Sequence, residues 1–301
     1  MFSSNWRTPS DEKLAIPADL EKMIAEAAYY RAAQRNFIPG YELLDWLEAK
    51  HTILNQYYPM NIIKYYHHRG NIDEISSRYN AFTQLKHAKI KQVSHLKWRN
   101  EHDGAISYHA QAAFFGKTGY GKSSTVNAFF GNSILKTSDV EACTRKCDSL
   151  DFELSPNCYL SLADFPGIGE SEYRDREYLK MYSDFLAHSS VVVYVIRADT
   201  RDYAIDESAY YKVFPTHADK QKVIFALNCC DKIEPISRSR TAIEPSAEQM
   251  RNITKKVNTV NDIFKPVNTI VPYSAETRWN MNHLANEIVR IISNDEHMIM
   301  R

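Results

Sequence analysis

Residues 116–124 read Gly-Lys-Thr-Gly-Tyr-Gly-Lys-Ser-Ser, three glycines, a lysine and a hydroxyl at the spacing of a loop that wraps a chain of phosphates. Gly116, Gly119 and Gly121 let the backbone curl so that successive N–H groups point inward at an anion, and Lys117, Thr118, Tyr120 and Ser124 complete that cradle. The helix expected from about Lys122 onward adds the positive end of its dipole. Lys122 is spaced to reach the β- and γ-phosphates, and Ser123 to complete the shell of a Mg²⁺ ion that keeps most of its water. A glycine-rich surface turn would give a similar string. The apolar runs Ala112–Phe115 and Ser124–Phe130, however, supply the strand and helix that a phosphate loop needs. The chemistry implied is the binding of a nucleoside phosphate.

Three later segments fall where a guanine-nucleotide domain needs them. Asp164-Phe165-Pro166-Gly167 follows the apolar run Cys158–Ala163, which sets Asp164 at a strand end facing the metal and lets the Gly167 N–H meet the γ-phosphate. Asn228-Cys229-Cys230-Asp231 follows Val223–Leu227, so that the two oxygens of Asp231 can accept from guanine N1–H and the N2 amino group. Adenine offers no such donor pair. Ser274-Ala275 follows Thr269–Pro272, where a backbone N–H can donate to guanine O6. Singly these are weak signals, since Asp-x-x-Gly is usually just a turn. Their order, each at the carboxyl end of an apolar run, fits the rule that open α/β sheets bind ligands beyond those ends.

Thr144 lies between the first helix and the next strand, Ser149–Leu154, a position from which a threonine can coordinate Mg²⁺ while the γ-phosphate is present and release it afterwards. An ordinary loop threonine fits its position equally well.

The segment Ser138–Arg145, the run Phe165–Glu172 with Arg174–Tyr178, and Asp231-Lys232-Ile233-Glu234-Pro235 together resemble the YfjP/YeeP group of GTPase-like proteins, often found in bacterial prophage regions, within the larger Era, EngA, TrmE and septin class. The resemblance covers roughly residues 108–295. It implies a GTPase fold with bound GTP or GDP and Mg²⁺, and by matching motif it makes Thr144 the switch threonine.

Two positions depart from common GTPase patterns. The usual Asn-Lys-x-Asp reads Asn-Cys-Cys-Asp, so Cys229 replaces the lysine whose aliphatic stem lies across the guanine plane. After Gly167 comes Ile168, where many GTPases carry a glutamine that orients the attacking water. Hydrolysis is therefore expected to be slow or assisted, by a partner's arginine or by the polar segment Glu170–Glu177 with Arg174 and Arg176. A solvated helix start is the simpler account of most residues in that charge run.

The elements that must hold these residues read as a P-loop GTPase three-layer α/β sandwich. Strands Ile106–Phe115, Ser149–Leu154, Cys158–Ala163, Val191–Ile196, Val223–Leu227 and Thr269–Pro272 give a mostly parallel six-stranded sheet, with a hairpin at Ser155-Pro156-Asn157. Helices are expected at Tyr173–His188, Ile205–Phe214, Ala247–Phe264 and Met281–Ser293. Residues 1–100 read as a helical N-terminal region and 101–301 as the GTP-binding domain. Within the former, Leu20, Met23, Ile24, Ala27 and Ala28 share a helix face, and Asn71–Leu96 reads as one long helix with Ile72, Ile75, Tyr79, Phe82, Leu85 and His87 as its packed stripe. The pair of helices around Asp45-Trp46-Leu47-Glu48-Ala49 resembles a short module seen in some bacterial proteins, which names no activity.

Composition narrows the classes further. Thirty-seven basic and 37 acidic residues leave no net charge, so nucleic acid is not indicated as a partner. Five cysteines without a Cys-x-x-Cys pair fit reduced thiols in the cytoplasm, and seven of the 11 histidines between His51 and His109 lack carboxylate or cysteine partners at metal-ligand spacing. The longest apolar run, Val191–Ile196, is too short to span a bilayer. Three functions remain open: a slow GTPase switch; a module that uses bound nucleotide to hold a homodimer through the nucleotide face or an unknown protein partner; and an ATPase or kinase, against which Asp231 counts.

Overall fold

In the computed structural model the chain is described over residues 20–42, 45–46, 49, 66–87, 96–99, 106–131, 135, 148–168, 182, 186, 189–236 and 243–294. It divides into two compact units, Met1–Lys64 and Tyr65–Arg301. In the first, α1 (Leu20–Gln34) buries Ile24, which forms a small cluster with Ala49, Met23, Ala27 and Ala28. Arg35 forms an ion pair with Asp45 beyond the helix end.

The second unit is built on one sheet of eight strands: β1 (Tyr66–Asn71), β2 (Leu96–Arg99), β3 (Ile106–Phe115), β4 (Asp148–Ser155), β5 (Cys158–Asp164), β6 (Val191–Arg197), β7 (Val223–Asn228) and β8 (Val271–Pro272). The order is β1-β4-β5-β3-β6-β7-β8, with β2 paired to β3. Strands β5 and β7 are buried along their whole length, as their largely apolar sequences require of strands covered on both faces. Among the described strands, the β4–β5 and β2–β3 pairs run antiparallel and the others parallel. The β4–β5 pair is the expected hairpin, turned at Asn157 in the left-handed region with φ of 62°.

The mostly parallel α/β sandwich is there, but among the described residues the sheet has eight strands where the sequence reading counts six, and the two extra ones come from the first hundred residues, read as helical. Asn71–Leu96 is not one helix. Its apolar stripe is real, since Ile72, Ile75, Tyr79, Phe82 and Leu85 are all buried, but it is shared by α2 (Ile72–Arg78) and a 3-10 helix (Asn80–His87). The Asn71 side chain accepts from the Asp73 N–H at 2.9 Å and starts α2, and extended Tyr79 ends it. A three-to-four spacing cannot distinguish one helix from two that share a buried face. Strand β2 escapes the pattern because Leu96–Arg99 is short and pairs along Ile106–His109 of β3, ahead of the Ala112–Phe115 stretch that pairs with β6.

Helix α3 (Lys122–Phe130) leaves the β3 end through the glycine loop and packs Phe129 against Tyr79 and Phe82, with ring centroids 5.1 and 5.8 Å apart. Later in the chain, α4 (Ala204–Val213), α5 (His217–Gln221), α6 (Ala247–Phe264) and α7 (Met281–Asn294) complete the helices whose bounds are described. Tyr210 of α4 and Phe264 of α6 meet Phe225 of β7 at 5.0 and 4.7 Å. This aromatic layer packs against β6 and β7 through Tyr194 and Phe225. Of the expected helix Tyr173–His188, Tyr182 and Leu186 are described, and both are helical and buried.

Candidate nucleotide site

The strand β3, the loop 116–121 and α3 form one continuous turn. Gly116 has φ of 140°, and a Cβ there would lie 2.3 Å from the Val195 carbonyl oxygen of β6. Gly121 has φ of 87°, and a Cβ would lie 2.4 Å from the Asn228 amide. Both positions therefore exclude side chains on backbone and space together. The Lys122 ammonium is buried over the loop, donating to the Gly116 and Lys117 carbonyls at 3.0 and 3.1 Å. Ser123, in the first turn of α3, donates to the Asp164 carboxylate at 2.5 Å. These are hard oxygen donors of the kind Mg²⁺ takes, so the residues present fit that ion.

The segment after β5 lies along the phosphate loop. Ile168 N–H donates to the Gly116 carbonyl at 3.3 Å and Thr118 N–H to the Ile168 carbonyl at 3.1 Å, a parallel bridge in which Gly167 passes so close that a Cβ would sit 2.0 Å from Thr118 Oγ1. The Ile168 side chain itself is 1% exposed.

The base end joins three strand ends. Asn228 donates through Nδ2 to the Tyr120 carbonyl at 3.1 Å and accepts from the Ala275 N–H at 3.0 Å, so one amide ties the phosphate loop to the loop after β8. Ser274 Oγ donates to Asp231 Oδ1 at 2.7 Å. The N–H of Ser274 donates to the Trp279 carbonyl. The sequence reading expects a backbone N–H of the Ser274-Ala275 pair to donate to guanine O6; in this structure the two N–H groups donate to the Trp279 carbonyl and to Asn228 Oδ1. Cys229 stands in the left-handed region at φ of 62°, and burial pushes its thiol up to about 11. It remains an uncharged S–H at neutral pH.

Two features of the site carry no sequence motif. Tyr120, read as part of the phosphate cradle, turns its side chain inward and donates to Asp206 Oδ2 at 3.0 Å. Burial raises the Asp206 carboxyl to about 6, against the hydrogen bond from Tyr120 and the charge of Lys117, which act the other way. Arg197, last residue of β6, donates to the Gly119 carbonyl at 3.3 Å while Asp199 grips its guanidinium at 2.8 and 2.6 Å. The only available signal for it is its position at the end of an apolar strand. Ser124 and Thr118 are half-buried and Gly119 is exposed. Thr144, Arg174 and Arg176 lie outside the described residues, and no cluster of His, Cys, Asp and Glu that could hold a metal occurs among the described ones.

A glycine loop between a central parallel strand and a helix, an aspartate at the next strand end and an Asn–Asp pair two strands away are the arrangement of a phosphate-loop α/β fold. Residues 111–229 match the family model described as 50S ribosome-binding GTPase, and residues 19–54 match a family of unknown function, DUF2934. The chain is 35% identical over 187 residues to the uncharacterized protein YkfA of Escherichia coli strain K12 and 34% identical over 186 residues to YfjP of the same organism. Each match covers 62% of this chain and 63% of the relative's own length. Among solved structures, a variant of Aquifex aeolicus Era bound to GDP and AlF4⁻ aligns over 61% of this chain and 56% of its own, at 21% identity and a TM-score of 0.48.

Proposed function

We propose that this chain is a guanine-nucleotide switch that binds GTP and GDP with Mg²⁺ and hydrolyses GTP slowly. The observation that carries this reading is the Asp231 carboxylate, oriented by Ser274 at 2.7 Å on the loop that follows Asn228, the residue tied to the phosphate cradle. Residues 116–124 would enclose the phosphates, with Lys122 over the β- and γ-groups and the Gly167 N–H at the γ-phosphate. Ser123, Asp164 and Thr144 would hold the metal, whose charge offsets that of the phosphates. Asp231 would accept from guanine N1–H and N2, and Asn228 with Ser274 and Ala275 would keep the base loops in register.

Slow turnover follows from Ile168, which is buried and apolar and so cannot orient water. The isolated chain should turn over on the order of 10⁻⁴ to 10⁻² s⁻¹, the range of GTPases that lack an assisting arginine or work with one of their own. The same residue favours a second reading, a nucleotide-dependent interaction module that holds a homodimer or a protein partner with negligible turnover. Free thiols at Cys158, Cys229 and Cys230 support a cytoplasmic setting, and no described helix is long and apolar enough to cross a membrane.

The test is calorimetry with GTP and ATP, followed by phosphate release at several protein concentrations. GTP should bind at least about a hundredfold better than ATP, because a charged hydrogen-bond pair is worth roughly 2–4 kcal/mol. Equal binding of the two nucleotides overturns the guanine reading. Activity that rises with protein concentration, and falls in Arg174→Ala or Arg176→Ala, supports assisted hydrolysis, whereas nucleotide binding without phosphate release at any concentration selects the interaction module.

A further inference from the structure

Where a lysine would lie across the base, this chain has Cys229, a short thiol that burial keeps uncharged. The cation that acts most strongly on that thiol comes from a different strand. Arg197 ends β6 and is the register partner of Asn228, the residue before Cys229, and its charge lowers the thiol against the larger effect of burial. Its Nη1 donates to the Gly119 carbonyl of the phosphate loop at 3.3 Å, while its backbone is in register with Asn228, where the base-side loop begins. The group is also held in one orientation. Asp199 takes it in a two-point grip, the Arg197 carbonyl accepts from the Tyr203 hydroxyl at 2.8 Å, and the side chain is still 31% exposed. The Asp199 hydrogen bonds raise the guanidinium above its already high range, so it is charged at every working pH.

A planar cation fixed at the rim between a phosphate loop and a base-reading aspartate is suited to an aromatic ring, because guanidinium stacks on π-faces and loses little freedom when its fork is already held. We propose that Arg197 is the base platform of this site, stacking on the guanine ring in the role that the Cys229 position leaves unfilled. This rests on the guanine-nucleotide reading above. A stacking cation attracts any purine face, so Arg197 sets affinity while Asp231 sets the choice of base. Asp199 acts through Arg197 as a positioning residue.

The experiment is calorimetric titration of the whole chain with GDP and Mg²⁺. Arg197→Ala should weaken GDP about tenfold, between the effect of an exposed cation–π contact and that of a desolvated one, with the melting temperature of the protein alone unchanged. Asp199→Asn, which frees the guanidinium without removing it, should weaken GDP about threefold. Adding Cys229→Lys to Arg197→Ala should restore most of the loss, since a lysine stem at position 229 can cover the base from its own side. Wild-type affinity in Arg197→Ala overturns the proposal. So does a loss that Cys229→Lys leaves untouched, which would make Arg197 a brace for the Gly119 carbonyl instead. If the wild type binds no GDP, the guanine-nucleotide reading fails first and the platform falls with it.

Discussion

The proposed phosphate end and the proposed base end of the site are assembled in opposite ways. At the phosphate end one contiguous stretch, Gly116 to Ser123, supplies the loop, the ammonium and the first hydroxyl, and the proposed site adds Thr144, Asp164 and Gly167 from elsewhere. The base end is composite: Arg197, the segment Asn228 to Asp231, and Ser274 come from the ends of three strands and meet through the sheet order. The contiguous end tolerates no side chain at Gly116 or Gly121, because β6 backbone and the Asn228 amide already fill the space. On the reading proposed above, the composite end carries Cys229 at the lysine position and draws on an arginine of the neighbouring strand. A site built from separate strand ends can replace one contributor by another, whereas a loop whose backbone is the ligand cannot.

The largest effect that would break this contrast is at the phosphate end. Lys122→Ala should remove measurable nucleotide binding by calorimetry, with the circular dichroism spectrum unchanged; retained binding would mean the loop is a structural turn. Next in size is Asp231→Asn, expected to weaken GTP by about a hundredfold and to favour xanthosine nucleotides, which present a carbonyl where guanine has its amino group. Competition between the two nucleotides measures the switch.

A smaller effect should appear beneath the phosphate loop, at the buried carboxyl that receives Tyr120. Asp206 holds its proton to about pH 6 in the folded chain, well above the ordinary carboxylate range. The unfolded chain releases that proton first, so this group disfavours the fold progressively as pH rises from about 4 to about 6, and no further above that. Asp206→Asn abolishes the titration while keeping an acceptor for Tyr120. The stability of wild type relative to that variant should therefore fall on the order of 2–3 kcal/mol between about pH 4 and about pH 7, read by urea unfolding. A flat difference would show that Asp206 is already ionised at the acid end. Smallest of all on activity, Ile168→Gln should leave turnover within about twofold of wild type, because position 168 faces the interior; its melting temperature should drop, as a buried amide without a partner costs roughly 1–3 kcal/mol. A faster enzyme would show that the segment reopens toward the phosphates.

The same contrast decides what the sequence can tell. The phosphate loop is legible because its chemistry is local, and the strands flanking it are apolar runs. Asn228 and Asp231 are legible only through their order along the chain. Arg197 and Asp206 are not, since an arginine at a strand end and an aspartate in the first turn of a helix are commonplace, and only the sheet brings them to the loop. The Ser274-Ala275 pair stands at the expected strand end, but its backbone donors are spent inside the protein. The stretch 71–96 misleads for a different reason: its buried stripe of Ile72, Ile75, Tyr79, Phe82 and Leu85 continues across a break that only Asn71 and Tyr79 mark.

Strand β1 has a consequence for how this protein can be cut. It pairs in parallel with β4 over Tyr66↔Asp148 to Asn71↔Glu153, on the outer side of the β4–β5 hairpin. A fragment that begins at residue 101, where a motif-based boundary would put it, loses that cover and leaves the β4 backbone donors and acceptors as an open template for another chain. It also strips Tyr79 and Phe82 from Phe129, baring an apolar face on the helix that opens at Lys122. Such a fragment should self-associate through strand pairing and sediment on standing, while one that begins at Tyr65 should stay dispersed; an expression trial of the two lengths would separate a domain from its motif.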